Sequence, residues 1–338
     1  MLLSYFFFII IIYFLNEFLI KKNLLSGFTG ESHQKFSITR HPQVTGGIFL
    51  ILGYIILNYK LLNYYYLSFF IIFFIGILSD TNKLSSAKTR FFLQIITITF
   101  FVFIADIQID SVKIIPLDQL LQNNIFNYIF VSFCILIIIN GSNFIDGLNT
   151  LTIGYYFLVS SALIKISLLN QIDIPLLEIF NVLLILLAIY LLNFLNKLFL
   201  GDNGSYLLGL YFSFLLIKIN STNINISPYF IALLLWYPGF EIFFSIVRKF
   251  NFKKSPLLPD KEHFHQMFFY FLMKKFNLKK IKANLWASSI INIYNGIIFL
   301  IGSTFVFHSQ GQIILIMFNI FLYCFFYARL KKFKSYYK

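Results

Sequence analysis

The sequence has 338 residues, of which 59% are hydrophobic, 20% aromatic and only 12% charged, and its mean hydropathy is +0.81. An ordinary globular domain carries roughly 25% charged residues, so this chain has too little polar surface for a water-soluble fold. A cytosolic enzyme, a secreted disulfide scaffold and a disordered chain are therefore excluded, and the lipid bilayer is the expected solvent.

The apolar residues fall into long uninterrupted runs, unlike the alternating pattern of outer-membrane strands. Because backbone groups in lipid must be satisfied internally, these runs predict transmembrane helices. We expect an all-α polytopic integral membrane protein with about eleven spans. In chain order the spans cover about 2–20, 44–59, 64–79, 91–105, 124–140, 151–169, 176–196, 204–219, 227–247, 283–306 and 311–328.

The basic residues are distributed unevenly between alternate connections. One side carries only Lys60, Lys113, Lys165 and Lys218, and the other side carries the remaining 23 of the 27 Lys and Arg residues. By the positive-inside rule the basic side is cytoplasmic, which places the N-terminus outside and the C-terminus in the cytoplasm. The net charge of +14 is thus a topology signal, and no nucleic-acid partner is needed to explain it.

The organisation predicts one membrane-embedded domain over residues 1–338. Its first span reads as a retained anchor because no small-residue cleavage site follows it. Cys134 and Cys324 each lie inside an apolar run and indicate neither a disulfide nor a metal site. Most polar residues lie in the predicted cytoplasmic loops, which are expected to carry the chemistry. These loops cover about 21–43, 80–90, 140–150, 197–205 and 248–282.

Two of these loops place acids among small or amide residues. Ser79 and Asp80 end the third span, where an acid is also typical of a plain helix cap. Asn140, Asn143 and Asp146 follow at intervals of three, so a helix would present them on one stripe. Such a stripe can bind a sugar, a nucleotide or a metal through oxygen, or it can join helices by polar contacts.

Two further motifs favour phosphate chemistry. Glycines flank Asp202 just before an apolar helix, so the backbone can approach an anion and the carboxylate can bind a hard cation such as Mg²⁺, although a capped turn is the alternative. His263 and His265 lie among lysines with no third His or Cys nearby, which fits phosphate contact better than zinc.

Taken in order, these motifs resemble a known family. The residues are Thr39-Arg40-His41-Pro42-Gln43-Val44-Thr45-Gly46-Gly47, then Ser79-Asp80, Asn140 to Asn149, Gly201-Asp202-Asn203-Gly204-Ser205 and His263-Phe264-His265. The pattern covers about residues 40 to 266 and is similar to the polyprenyl-phosphate N-acetylhexosamine-1-phosphate transferases, the WecA and MraY superfamily, closer to the WecA branch.

The resemblance implies transfer of a sugar 1-phosphate from a UDP-sugar to undecaprenyl phosphate, giving the lipid diphosphate sugar and UMP, to start a cell-envelope polysaccharide such as O-antigen. It implies Mg²⁺, with Mn²⁺ as an alternative, held by Asp202 and Asp146. The implied catalytic residues are Asp80, Asp146 and Asp202. The implied substrate-binding residues are Arg40, Asn140, Asn143, Asn203, His263 and His265.

Three positions depart from the family pattern. The family usually has an acid where this chain has Ser79, a second acid where it has Asn149, and a further His where it has Gln266. Loss of the first acid removes a proposed base for the lipid phosphate. However, a phosphate monoester has a second pKa near 6 and is already largely dianionic at neutral pH, so no base is obligatory.

The remaining alternatives are a lipid I-forming phospho-MurNAc-pentapeptide translocase, a transporter, and an inactive homologue that acts as a binding partner. A transporter is expected to place acids near the bilayer midplane, where this sequence has only Glu17 and Glu241. The expected location is the bacterial inner membrane with the active site facing the cytoplasm, and a homodimer stays open.

Overall fold

The structure is a computed structural model that describes residues 2–22, 24–25, 43–61, 63–170, 172–251 and 262–336. Arg40 and the neighbouring loop lie outside the described residues, as do residues 252–261 of the predicted basic loop. Within the described ranges the chain forms fourteen α-helices and two short strands. The helices are α1 (Leu2–Lys21), α2 (Gly46–Asn58), α3 (Leu67–Asp80), α4 (Ala87–Ile104), α5 (Ile115–Leu121), α6 (Asn124–Ile145), α7 (Leu151–Asn170), α8 (Leu176–Phe194), α9 (Gly201–Thr222), α10 (Pro228–Leu234), α11 (Trp236–Asn251), α12 (Phe264–Lys275), α13 (Lys280–Gly302) and α14 (Ser309–Tyr336), and the strands are β1 (Gln43–Val44) and β2 (Leu198–Phe199).

Each predicted span coincides with a helix, except that the span at 227–247 consists of the consecutive pair α10 and α11. In the described part of the chain, seven helices are long and apolar enough to cross a membrane, or up to eight if the bent pair counts as one span. The helices α2 and α3 are apolar but shorter. The expectation of an all-α polytopic membrane protein is confirmed, whereas the count of eleven spans and the outside N-terminus stay predictions.

Helix α9 occupies the centre of the bundle. Every residue from Asn203 to Ile217 is buried, and the helix packs against α2, α3 and α6. A helix that is apolar on all sides is stable only when neighbouring helices surround it. The first turn of α9 consequently lies beside the ends of these neighbouring helices.

The ends of several helices are set by local capping. The side chain of Ser86 lies before α4 and accepts a hydrogen bond from the Thr89 amide at 3.4 Å, and that of Asn123 lies before α6 and accepts one from the Phe126 amide at 3.1 Å. Such oxygens satisfy backbone N–H groups that have no partner inside the first helical turn. These caps fix where α4 and α6 begin.

The two strands form a parallel pair that joins distant parts of the sequence. Gln43 pairs with Leu198, and Val44 pairs with Phe199. This ladder places the segment before α2 beside the segment before α9. Gln43, the last residue of the predicted loop 21–43, therefore lies beside the predicted loop 197–205.

Helices α10 and α11 are bent by 75° across a break at Leu235. The chain then packs α11 against α6, and the C-terminal helix α14 against both α10 and α12. The bend brings the start of α12, with the two predicted histidines, to the end of α6.

Candidate active site

Three acids predicted to be catalytic lie at one end of the bundle. Asp80 is the last residue of α3, Asp146 directly follows α6, and Asp202 lies in the first turn of α9. The carboxylates of Asp202 and Asp80 lie close enough to Asp146 to add to the rise in its pKa that burial causes. The structure therefore brings the three acids together, as the sequence motifs predict.

The turn into α9 depends on Gly201. This residue has φ +74°, a left-handed conformation that glycine adopts without the steric cost of a Cβ atom. The turn directs the amides of Asp202 and Asn203 toward the end of α3. The local sequence thus builds a backbone donor site at the start of the central helix.

Asp80 accepts hydrogen bonds from this turn. One carboxylate oxygen accepts from the amide of Asp202 at 2.9 Å, and the other accepts from the amide of Asn203 at 3.0 Å and from its side chain at 2.5 Å. Asp80 therefore caps α9 from a different helix.

Asn203 extends the same connection to the start of α2. Its side-chain oxygen accepts a 2.7 Å hydrogen bond from the amide of Gly47, and its side-chain nitrogen donates to the carbonyl of Val44 at 3.2 Å. Asn203 is 1% exposed. The hydrogen bonds of its side chain therefore connect α2 and β1 to α9.

The carboxylate of Asp202 is surrounded by donors from three other helices. Oδ1 accepts from the side chain of Asn143 at 2.6 Å, and Oδ2 accepts from Ser79 at 2.5 Å. Arg90, on α4, lies 3.4 Å from Oδ2 and also donates to the hydroxyl of Ser79. Tyr206, one turn further along α9, donates to Oδ2 at 3.4 Å. Asp202 is thus the centre of the polar cluster.

Burial, together with neighbouring carboxylates, opposes ionisation of Asp80 and Asp146. Burial raises the pKa of the Asp80 carboxyl to about 7, and the charge of Asp202 adds to this rise. Burial also raises the pKa of the Asp146 carboxyl well above its ordinary value, again with a contribution from Asp202. A bound cation would counteract this repulsion.

Asp146 and Asp202 are the residues that could hold a divalent cation. Among the described residues, no group of three or more His, Cys, Asp or Glu side chains is arranged to hold a metal ion. Mg²⁺ typically binds proteins through one or two carboxylates and takes its other oxygen ligands from water and phosphate. A pair of interacting carboxylates fits that donor set.

The two asparagines on the α6 stripe have different surroundings. Asn143 contacts Asp202 and also donates to Ser205 at 3.2 Å. Asn140 lies one turn earlier and donates to the side chain of Gln94 on α4 at 2.9 Å. Asn140 therefore makes a polar contact between helices, which was the alternative interpretation of the stripe. Asn143 lies within the cluster of acids.

His263 and His265 lie against the end of α6. Their rings stack at 5.8 Å, and the ring of Phe144 meets His263 edge to face at 5.1 Å. A Cβ atom at Gly147 would overlap Nε2 of His265, so this ring lies directly against the turn after Asp146. The structure thus brings both predicted histidines to the same end of the bundle as the acids.

Sequence reasoning missed two charged residues of this region. They are Arg90 on α4 and Glu241 on α11, of which the sequence analysis treats only Glu241, as an acid near the bilayer midplane. Glu241 is 1% exposed and contacts His263. An isolated acid within an apolar helix is costly and is therefore a signal of function that could have identified Glu241. Nothing in the local sequence distinguishes Arg90 from Lys88.

Asn149, at a position where the family usually has an acid, binds neighbouring helices. Its side-chain nitrogen donates to the carbonyl of Asn193 at 3.3 Å and to the side-chain oxygen of Asn196 at 2.7 Å, and its backbone amide donates to Asn284 at 2.9 Å. Asn149 is buried. The side chain therefore acts as a donor, which a carboxylate at this position could not do.

Comparison with known proteins gives one family. Residues 62–220 match glycosyl transferase family 4. An "undecaprenyl-phosphate alpha-N-acetylglucosaminyl 1-phosphate transferase" of Thermotoga maritima is 38% identical over 72 residues, which are 21% of this chain and 23% of that protein. A "probable undecaprenyl-phosphate N-acetylglucosaminyl 1-phosphate transferase" of Bacillus subtilis is 28% identical over 196 residues, which are 57% of this chain and 54% of that protein.

The fold and the cluster of acids define a multi-pass membrane protein with a polar site at one end of its helix bundle. The matched segment, residues 62–220, covers slightly less than half of the chain and is similar to glycosyl transferase family 4. This confirms the family resemblance inferred from the motifs. The matches span about a quarter of the Thermotoga protein and about half of the Bacillus protein.

Proposed function

We propose that this protein is an enzyme that transfers a sugar 1-phosphate from a UDP-sugar to undecaprenyl phosphate, giving an undecaprenyl-diphosphate sugar and UMP. The supporting observation is the cluster in which Asp202 receives hydrogen bonds from Asn143, Ser79 and Arg90 beside Asp80. The names of the two relatives favour N-acetylglucosamine as the sugar. We place the site on the cytoplasmic face of the bacterial inner membrane, where UDP-sugars are available.

The reaction we propose is a direct displacement at phosphorus. An oxygen of the lipid phosphate attacks the β-phosphorus of the UDP-sugar, a new P–O bond forms, and the bond between this phosphorus and the bridging oxygen breaks, so that UMP leaves with the electron pair. Phosphoryl transfer of this kind depends mainly on positioning and charge neutralisation. The acceptor phosphate is largely dianionic at neutral pH, so the mechanism needs no base at position 79.

The residues of the cluster have separate roles in this proposal. Asp202 and Asp146 would hold Mg²⁺, which when bound neutralises charge on the diphosphate. Asp80 fixes the turn that presents Asp202, and Asn143 orients its carboxylate. Arg90 supplies a positive charge beside the same carboxylate and can contact a phosphate oxygen as well. His263, His265 and Arg40 are proposed to contact the phosphates.

The test is turnover by the purified full chain in detergent. Undecaprenyl phosphate is incubated with a panel of UDP-sugars, the lipid product is weighed by mass spectrometry, and the released nucleotide is identified. The proposal expects a lipid diphosphate sugar together with UMP. Release of UDP would mean ordinary glycosyl transfer, and a product only from UDP-MurNAc-pentapeptide would identify the translocase reaction. Absence of turnover with every donor, including that one, would contradict the enzyme proposal.

A further inference from the structure

Glu241 is a fully buried acid on α11, the second helix of the bent pair. It is 1% exposed and lies within an apolar predicted span. Burying a carboxylate in such surroundings is costly unless hydrogen bonds compensate it. Its partners therefore indicate why the fold keeps an acid here.

Both oxygens of Glu241 are engaged by residues from other helices. Oε1 lies 3.0 Å from Nδ1 of His263 and accepts from the amide of Phe264 at 3.4 Å. Oε2 accepts a 2.8 Å hydrogen bond from the hydroxyl of Tyr323 on α14. A carboxylate accepts hydrogen bonds and does not donate them, so the proton of this contact belongs on Nδ1 of His263.

Two rings fix the plane of the His263 imidazole. Phe144 meets it edge to face at 5.1 Å, and His265 stacks on it at 5.8 Å with an angle of 12° between the rings. With Nδ1 directed at Glu241, the nitrogen that would contact a phosphate is Nε2, on the opposite edge of the ring. The position of Glu241 thus determines which ring nitrogen of His263 is available to contact a phosphate.

We infer that Glu241 is a positioning residue that holds His263 with Nδ1 protonated, so that Nε2 is directed at the phosphates of the reacting substrates. This inference rests on the proposed phosphosugar transfer for its kinetic consequence, but the contact itself does not depend on that activity. A carboxylate or carbonyl that holds the second nitrogen of a functional histidine commonly fixes its tautomer and orientation. Glu241 would act through His263 and would not touch the substrate.

The first measurement tests the contact without any substrate. The full chain is labelled with ¹⁵N-histidine, and the signals of His263 are identified by comparison with His263→Ala. We expect the signature of a protonated Nδ1, which should shift in Glu241→Gln. A His263 whose Nδ1 lacks the proton in the wild type would overturn the inference, whether or not the protein turns over any sugar.

The second measurement is steady-state kinetics. Glu241→Leu has a similar volume and no acceptor, and it should lower kcat about tenfold to hundredfold with a smaller change in KM. Glu241→Gln keeps an acceptor oxygen and should recover most of this loss. Tyr323→Phe removes the other hydrogen bond to Glu241 but leaves the contact with His263, so it should lower kcat less than Glu241→Leu does.

A double variant distinguishes positioning from a purely structural role. Because Glu241 acts through His263, Glu241→Leu should add little to the loss caused by His263→Ala. Additive losses, or wild-type kcat in a folded Glu241→Leu, would overturn the inference. If Glu241→Leu fails to fold, the wild-type histidine spectrum decides the inference. A wild type without turnover would refute the proposed function and leave the spectroscopic test intact.

Discussion

The hydroxyl of Ser79 donates a 2.5 Å hydrogen bond to Oδ2 of Asp202, and it accepts a hydrogen bond from Arg90. A neutral hydrogen-bond donor thus occupies the position at which the family usually has an acid. An acid there would be a second carboxylate beside Asp202. Because like charges this close disfavour one another's ionisation, the serine leaves Asp202 with a donor instead of a competitor. The departure at position 79 is therefore compatible with a working cluster.

Ser79→Ala should lower turnover modestly, by about tenfold or less, because Asp202 keeps Asn143 and Arg90 as donors. Asp80→Asn should lower it by roughly 10²–10³, since its amide nitrogen would face N–H donors and the turn before α9 would lose one of its two acceptor oxygens. Both variants are assayed for UMP release at equal folded concentration. Equal losses in the two variants would show that these roles are divided wrongly.

The acceptor phosphate sets the expected pH dependence. Its second pKa lies near 6, so below about pH 6 it gains a proton and loses nucleophilicity. Wild type and Ser79→Ala should therefore slow together as the pH falls through 6. A large gain from Ser79→Asp at low pH would instead show that a base is missing at this position.

Asp202→Asn and Asp146→Asn should each reduce turnover by roughly 10²–10³ while the protein stays folded, because each removes a preorganised charge. EDTA should abolish turnover, and added Mg²⁺ should restore it. Asp106→Asn is the control, since Asp106 is an exposed acid outside the cluster. Full activity in EDTA, or in either of the two cluster variants, would refute the metal assignment.

Arg90→Ala should lower turnover about tenfold to hundredfold, the range that follows from loss of a charged hydrogen bond. Arg90→Lys should recover only part of the activity, since an ammonium cannot reproduce the planar geometry of the guanidinium. Lys88→Ala, two positions earlier and exposed, is the matched control with unchanged turnover. If the two alanine variants behave alike, Arg90 contributes only general positive charge.

Asn149→Asp should destabilise the protein. The carboxylate would face the carbonyl of Asn193 and the side-chain oxygen of Asn196 without a proton to donate, and each lost buried hydrogen bond costs about 1–3 kcal/mol. Thermal unfolding in detergent should therefore show a lower Tm. Asn123→Asp is the control, because this N-cap side chain only accepts a hydrogen bond and Asp accepts equally well.

The orientation can be tested by single cysteines in a chain without Cys134 and Cys324. Lys88→Cys and Lys274→Cys should react with an impermeant thiol reagent only in inverted vesicles. Asp110→Cys and Ile224→Cys should react only in intact cells. All four positions are exposed, unlike Ser142 and Asn203 within the predicted loops. The opposite labelling pattern would place the cluster of acids outside the cell.

The sequence predicted the helices well where composition alone determines them. Each apolar run became a helix, because a lipid environment leaves the backbone few alternatives. The break at Leu235 was missed, since its surroundings are apolar on both sides and the bend depends on packing against α6 and α14. The ladder of β1 and β2 was also missed, because two residues are too few to show a periodic pattern.

The candidate site was likewise predictable only in part. Asp80, Asp146 and Asp202 could be predicted because each stands among small or amide residues at the end of an apolar run. Arg90 could not, since only the packing of α4 decides which of its basic side chains reaches Asp202. The hydrogen bonds of Asp80 to the turn before α9 likewise depend on tertiary structure, so its contribution to the shape of the site was not predictable.

The pairing of Gly47 with Asn203 has a consequence for biosynthesis. These residues are 156 positions apart, and at about 5–20 residues per second the ribosome makes the second roughly 8–30 s after the first. The early helices must therefore insert and persist without the contacts that later join them to α9. The acids come together only once α9 has been synthesised, because Asp202 lies in its first turn.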